Sequence, residues 1–347
     1  MNYAVDAMGG DHAPDAIVKG AVDSLKHAAP DEKMILVGDE KVITEILKEL
    51  GVNDARIDIA HAPQHISMEE SPVEAVRTKP NSSIVRMCEL GSARKSKDPV
   101  DFVLSAGNTG ACVSAATMHM KRLPGVHRPG IACVIPAFHG PIVMCDVGAN
   151  PEPRPSHLAQ YGVMAETYAH HILGIEQPRI AQMNIGSEER KGTPIIREVR
   201  AILESSQHLN YVGYVEGRDI FEDTADVVIT DGFVGNILLK LAEGLARSLF
   251  KAMANEIFTK DPEVALQVQP LLEDLIKRND YKEYGGAPLL GVNGVCVICH
   301  GSSDATTISN AIRNARTYVK QHVNDAIVQR VSELNEDPAS STTEAIA

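Results

Sequence analysis

The sequence runs to 347 residues, 44% hydrophobic and 23% charged, long enough to bury a sizeable core in one large α/β domain or two fused halves. Its net charge of -13 excludes a general affinity for nucleic acid or anionic membranes, which call for surplus Lys and Arg. With no Trp and 4% aromatic residues, it also offers few platforms for stacking bases.

The start of the chain, Met1 to Asp6, has neither the basic nor the apolar region of a signal peptide. No apolar run approaches the ~20 residues that span a bilayer. The six cysteines are scattered through apolar stretches and read as reduced core thiols. The expected location is the cytoplasm.

In chain order, β-branched runs predict strands over 3–7, 34–37, 56–60, 102–105, 131–135, 142–146, 179–184, 211–215, 227–230 and 294–299. Helical periods fall between them, over 16–27, 42–50, 157–173, 194–205 and 236–258. Such alternation predicts a mainly parallel sheet with helices on both faces. The strands at 131–135 and 142–146 are joined by six residues, too few for a helix, so an antiparallel hairpin is expected there. Residues 1–334 read as a single catalytic domain with a helical projection at about 236–280, and 335–347 as a disordered acidic tail.

In an open parallel sheet, ligands bind beyond the carboxyl ends of strands. Five such junctions carry more than a plain turn requires. The first holds Asp6, Gly9, Gly10, Asp11 and His12, ahead of Pro14. In the second, Gly107 and Gly110 permit close backbone approach, Asn108 or Thr109 can cap the next helix, and its free amides suit a phosphate. The third offers Asn184, Ser187, Glu188, Arg190 and Lys191. Asp231, Asn236 and Lys240 mark the fourth, with Asn236 as a candidate cap. The fifth holds His300, Ser302 and Ser303. Each has a bland counterpart: a plain turn, an empty cap, a solvated charge run, a satisfied core histidine. Five in one sheet point to an anion-binding cleft.

Other motifs fail. Cys296-Val297-Ile298-Cys299-His300 has the spacing for haem attachment, but it reads as a buried strand whose two cysteines face opposite sides. No second ligand pair completes a zinc site. There is no Walker A loop, dinucleotide fingerprint, Gly-x-Ser-x-Gly elbow or His-Glu-x-x-His helix. No metal or cofactor is expected.

Six blocks taken in order carry a resemblance: Asp6-Ala7-Met8-Gly9-Gly10-Asp11, Ser105 to Ala111, Asp146-Val147-Gly148-Ala149-Asn150, Asn184 to Glu188, Asp231 to Asn236, and Gly285 to Gly291 with His300-Gly301-Ser302-Ser303. Over residues 2–320 the chain resembles the PlsX family. The resemblance implies a three-layer α/β/α fold related to phosphotransacetylases and isocitrate dehydrogenase-like enzymes, in a homodimer. It implies transfer of a long-chain acyl group from acyl carrier protein to inorganic phosphate. The acyl phosphate would then pass to a membrane glycerol-3-phosphate acyltransferase for phospholipid synthesis, with peripheral association at the inner face of the membrane.

Loop position suggests roles for that chemistry. Amides at 108–110, 184–187 and 302–303 would cradle phosphate on a single rim, with Lys191 or Lys240 supplying charge. His300 would bond the carbonyl oxygen or protonate the leaving thiolate, and Asp231 or Glu188 would orient these donors. A further stripe runs through Leu238, Leu241, Leu245, Leu249 and Met253, then from Val264 to Ile276 after a break at Asp261-Pro262. It reads as core packing or a dimer seam, with a membrane-touching tip as the alternative. Two rival functions are a short-chain phosphotransacetylase using coenzyme A and a catalytically silent, membrane-recruited scaffold.

Overall fold

The computed structural model describes residues 1–260, 264, 266–271 and 285–336. Its strands are β1 (Asn2–Asp6), β2 (Lys33–Gly38), β3 (Ile57–His61), β4 (Phe102–Ser105), β5 (Gly130–Ala137), β6 (Gly140–Cys145), β7 (Ile180–Met183), β8 (Tyr211–Val215), β9 (Val227–Ile229), β10 (Ala287–Leu290) and β11 (Val295–Ile298). They join in one sheet in the order β3-β2-β1-β4-β11-β10-β5-β6-β9-β7-β8. Each of the ten expected strands is present within two residues of its predicted bounds. β10 is the addition. Its sequence, Ala-Pro-Leu-Leu, has no β-branched residue, so nothing local marked it as a strand.

β10 pairs antiparallel with both neighbours, and β5 pairs antiparallel with β6 in the expected hairpin. The remaining pairs are parallel. Consequently β1–β4 and β11 run one way, while β6–β9 run the other. The expectation of a single carboxyl rim is corrected here: the sheet has two parallel sets of opposite direction.

The register brings the two sets together. Ser105 pairs with Ile298, and Ile298 with Ala287. Two residues on, Leu289 pairs with Ile131, and two residues along β5 Cys133 pairs with Met144. Met144 pairs in turn with Val228. β4 and β11 end at this level, and β6 and β9 end one residue beyond it, having arrived from the opposite side. Both sets of carboxyl ends therefore meet across the middle of the sheet.

Side-chain alternation along the strands divides the core into two layers. Tyr3, Val5, Phe102 and Leu104 lie on one face with Ile17, Tyr161 and Ile308 from helices Asp15–Ser24, Pro155–Leu173 and Ala305–Lys320. Ala4, Val103 and Ile298 lie on the other with Val76, Ile84 and Ala115 from helices Pro72–Thr78, Ser83–Leu90 and Thr109–His119. Cys299 joins the first layer and Cys296 the second, as expected of a buried strand.

Two differences concern the chain's later part. The last helix, Val323–Glu336, runs through Asn335 and Glu336, so these two residues do not belong to a tail; residues 337–347 lie outside the described ones. Helix Gly232–Lys260 packs Leu238 against the core but exposes Leu241 at 62%, Leu245 at 64% and Leu249 at 56%, so these three leucines are not part of it. The break at Asp261-Pro262 and residues 272–280 of the expected projection are outside the described residues. No described helix is long and apolar enough to cross a membrane.

Candidate active site

The central strip of the sheet forms the floor of a cavity. Ile131 and Cys133 of β5, two residues apart and so on one face, lie beside Ala287 and Ile298 under a space of about 400 Å³. Asp11, Thr109, Gly110 and His300 to Ser303 wall it on one side; Val147, Gly148, Asn236, Leu239, Lys240 and Glu243 wall it on the other. An apolar base with a polar rim is the combination that holds an amphipathic ligand in a fixed orientation.

The first wall is pinned from beneath. Asp6 is fully buried at the end of β1, and its carboxylate accepts from the Ser105 hydroxyl at 2.7 Å and the Met8 amide at 3.1 Å. Burial pushes its carboxyl above the usual range, while these bonds oppose the shift. Gly9 sits where a Cβ would lie 2.5 Å from the Asp6 carboxylate and 2.7 Å from the Gly107 amide, so only glycine lets the two loops close. Gly10, at φ 122°, lies in the left-handed region that favours glycine. Asn108 caps helix Thr109–His119 through Oδ1, which accepts from the Ala111 amide at 3.0 Å, and its Nδ2 donates to the carbonyls of Ser67, Met68 and Glu70. Its side chain is thus committed to protein groups. The helix itself does not satisfy the Thr109 and Gly110 amides of its first turn, which line the cavity. Ser303 belongs to the same lining, and its hydroxyl is buried with no hydrogen-bond partner among the described residues.

The second wall is built in a similar way. Buried Asp146, just after β6, accepts from the amides of Ile131, Gly148, Ala149 and Asn150 at 2.7–3.1 Å. Asp231 accepts from the amides of Phe233 and Val234 at 3.0 and 2.8 Å, so it is the cap of helix Gly232–Lys260. Asn236 was expected as that cap; instead it lies in the second turn and faces the cavity. Asn236, Lys240 and Glu243 share one helical face by their spacing.

The walls touch through one pair. Lys240 Nζ lies 2.5 Å from His300 Nε2 and 3.4 Å from the Glu243 carboxylate. The other ring nitrogen, Nδ1, accepts from the Ser302 amide at 3.2 Å and lies 2.8 Å from the Ser302 hydroxyl. Desolvation on its inner side, then the Lys240 charge, hold His300 below the usual histidine range, so it is neutral at pH 7.

Of the residues expected from sequence, Thr109, Gly110, Asn236, Lys240, His300, Ser302 and Ser303 share this cavity. Asp6, Gly9, Gly10, Asn108 and Asp231 hold its walls. The loop after β7 is not brought to it. Ser187, Glu188 and Lys191 are exposed there, Lys191 standing 3.8 Å from Glu188. Asn184 is buried, Oδ1 accepting from the Ile185 amide and Nδ2 without a partner among the described residues. Sequence reading missed Glu243, which the three-residue step from Lys240 could have flagged, and Cys133, for which no local signal existed.

The chain matches the family described as "Fatty acid synthesis protein" over residues 1–326. A phosphate acyltransferase of Dictyoglomus turgidum is 40% identical over 339 residues, covering 97% of this chain and 99% of the relative. One of Desulfitobacterium hafniense is 44% identical over 326 residues, covering 92% and 94%. Among solved structures, a phosphotransacetylase from Streptococcus pyogenes superposes with a TM-score of 0.62 at 18% identity, over 92% of this chain and 94% of that one. A branched-chain phosphotransacylase from Enterococcus faecalis V583 gives 0.57 at 16% identity, over 92% and 100%. At such identities the likeness is one of fold.

Proposed function

The chain belongs to the PlsX family of phosphate acyltransferases, and from that premise we propose that it moves a long-chain acyl group from acyl carrier protein to inorganic phosphate in the cleft where the two strand sets meet. The observation that carries this reading is the arrangement of the Ser303 hydroxyl and the first-turn amides of Thr109 and Gly110, which wait for an anion beside an apolar floor. Phosphate binds those donors, with Ser302 alongside. Lys240, the only Lys or Arg among the described residues lining the cavity, offsets its charge.

A thioester is already activated and phosphate is already a nucleophile, so no covalent enzyme intermediate is required. A phosphate oxygen attacks the acyl carbon, the carbonyl oxygen gathers negative charge beside Lys240, and the C–S bond breaks as the acyl phosphate forms. The enzyme contributes placement and prearranged charge. Neutral His300 holds Lys240 on one side of its ring and Ser302 on the other. Lys191 and Glu188 belong to this chemistry only through a neighbouring copy or a movement of their loop.

The protein also works as a homodimer in this reading. Phe233, Ile237, Leu241, Leu245, Leu249 and Met253 recur every fourth residue, all at least 41% exposed, and a stripe of that length needs a covering surface. The product then passes to a membrane glycerol-3-phosphate acyltransferase, with the dimer resting peripherally on the bilayer. The main test supplies acylated carrier protein and phosphate and traps the product with hydroxylamine. Acyl hydroxamate that depends on both enzyme and phosphate is expected; none from folded enzyme overturns the reading. Much faster turnover of acetyl-coenzyme A would favour a short-chain phosphotransacetylase instead.

A further inference from the structure

A second concavity, about 770 Å³, opens at the other end of helix Thr109–His119, lined by Arg94, Thr117, Lys121, Arg122, Leu123, Gly125, Val126, His127, Arg128 and Asn335. Four of these are Arg or Lys, all exposed, and no carboxylate among the described residues pairs with any of them. Nearby Lys95, by contrast, pairs with Glu89 at 2.7 Å. On a chain of net charge -13, so many uncompensated cations in one hollow make a local positive field. His157 registers it: burial, then His127, Arg128, Arg154 and Arg122, depress its imidazole to about 4.

The hollow adjoins the acyl-transfer cavity. Arg128 precedes Ile131, a floor residue of that cavity, by three positions, so their Cα atoms are at most ~11 Å apart. Thr117 stands seven residues along the helix from Gly110, or ~10 Å. The occupant is narrowed by what the hollow contains. Its lining holds no Phe, Tyr or Trp to stack on a base, and its four Lys and Arg side chains are exposed, which suits a broad carboxylate surface rather than one enclosed phosphate group.

We propose that Arg94, Lys121, Arg122 and Arg128 form the docking surface for an acidic face of the carrier protein that presents the acyl thioester. This rests on the acyl-transfer reading above. The carrier docks on the basic hollow, and its thioester arm reaches past Pro129 to the cavity floor. Charges of this exposed kind act on encounter rate and salt dependence more than on the chemical step.

The test is Arg94→Glu with Arg128→Glu in the full chain, folding checked by circular dichroism. With palmitoyl carrier protein and phosphate, the KM for the carrier rises about tenfold, kcat holds within about twofold, and the fall in activity with added salt flattens. With palmitoyl-pantetheine, which carries no charge, the kinetics of variant and parent coincide. An unchanged carrier KM overturns the proposal, as does an equal loss with both donors, which would mean the cations support the cavity itself. Loss of binding to vesicles of anionic lipid with unaltered carrier kinetics would assign the hollow to a membrane and also overturn it. Failure of the acyl-transfer reading is distinguishable, because the parent enzyme would then form no acyl phosphate from either donor.

Discussion

Lys240 on helix Gly232–Lys260 and His300 after β11 stand 2.5 Å apart between nitrogens, joining strand sets that run in opposite directions. Neither residue explains the contact locally. It exists because β9 and β11 end at nearly the same level of the sheet. Lys240→Met is expected to lower kcat/KM by about 10² or more, comparable to losing a prearranged electrostatic donor. Lys240 is one cause of the depressed His300 imidazole, so the variant's histidine moves up toward its ordinary value. If neutral His300 is required, the acidic limb of the pH–rate profile moves up as well. A profile measured from pH 5 to 8 that stays in place, with turnover intact, removes the pair from the mechanism.

Asn108 and Gly9 concern stability as much as catalysis. Asn108→Ala removes a helix cap and three bonds to the 67–70 loop, at a cost of ~2 kcal/mol. Gly9→Ala forces a Cβ against the Gly107 backbone and is expected to cost at least as much. Thermal melts should show both falling by several degrees. An unchanged Tm for Asn108→Ala would show that the cap and the loop bonds do not contribute to stability.

His157 predicts a pH response. Its Nδ1 accepts from the Arg154 amide at 3.1 Å, which requires the neutral ring, and its imidazole is depressed to about 4 from an ordinary 6.5. As pH falls below about 6.5 the unfolded chain takes up this proton first. Stability therefore declines through that window and levels off near 4. His157→Asn should flatten the slope of Tm against pH between these limits; an identical slope in parent and variant would contradict the assignment.

The apolar stripe gives a simple outcome. Leu241→Glu with Leu245→Glu places two charges on a surface that the dimer reading buries, where unpaired charge is costly. Sedimentation should find a dimer for the parent and a monomer for the variant. A parent that sediments as a monomer at micromolar concentration would leave the stripe to another partner.

Strand and helix positions were legible because alternation, period and cap chemistry are local. The ends of β4, Tyr211–Val215 and helix Pro194–Ser205 follow from short-range sterics and hydrogen bonding, and so does the mixed loop chemistry at Asp6, Asn108 and His300. Strand direction and order are not local properties. β10 lacks β-branched residues and became a strand only because two neighbours offered their edges, and its insertion reverses the pairing that a simple strand–helix alternation would continue. That reversal decides which loops share a cleft: it joins His300 to Lys240, and it leaves Lys191, equally promising by composition, outside the cavity. Residue chemistry can be read along the chain. Which groups meet depends on long-range register, which the packing of the whole sheet settles.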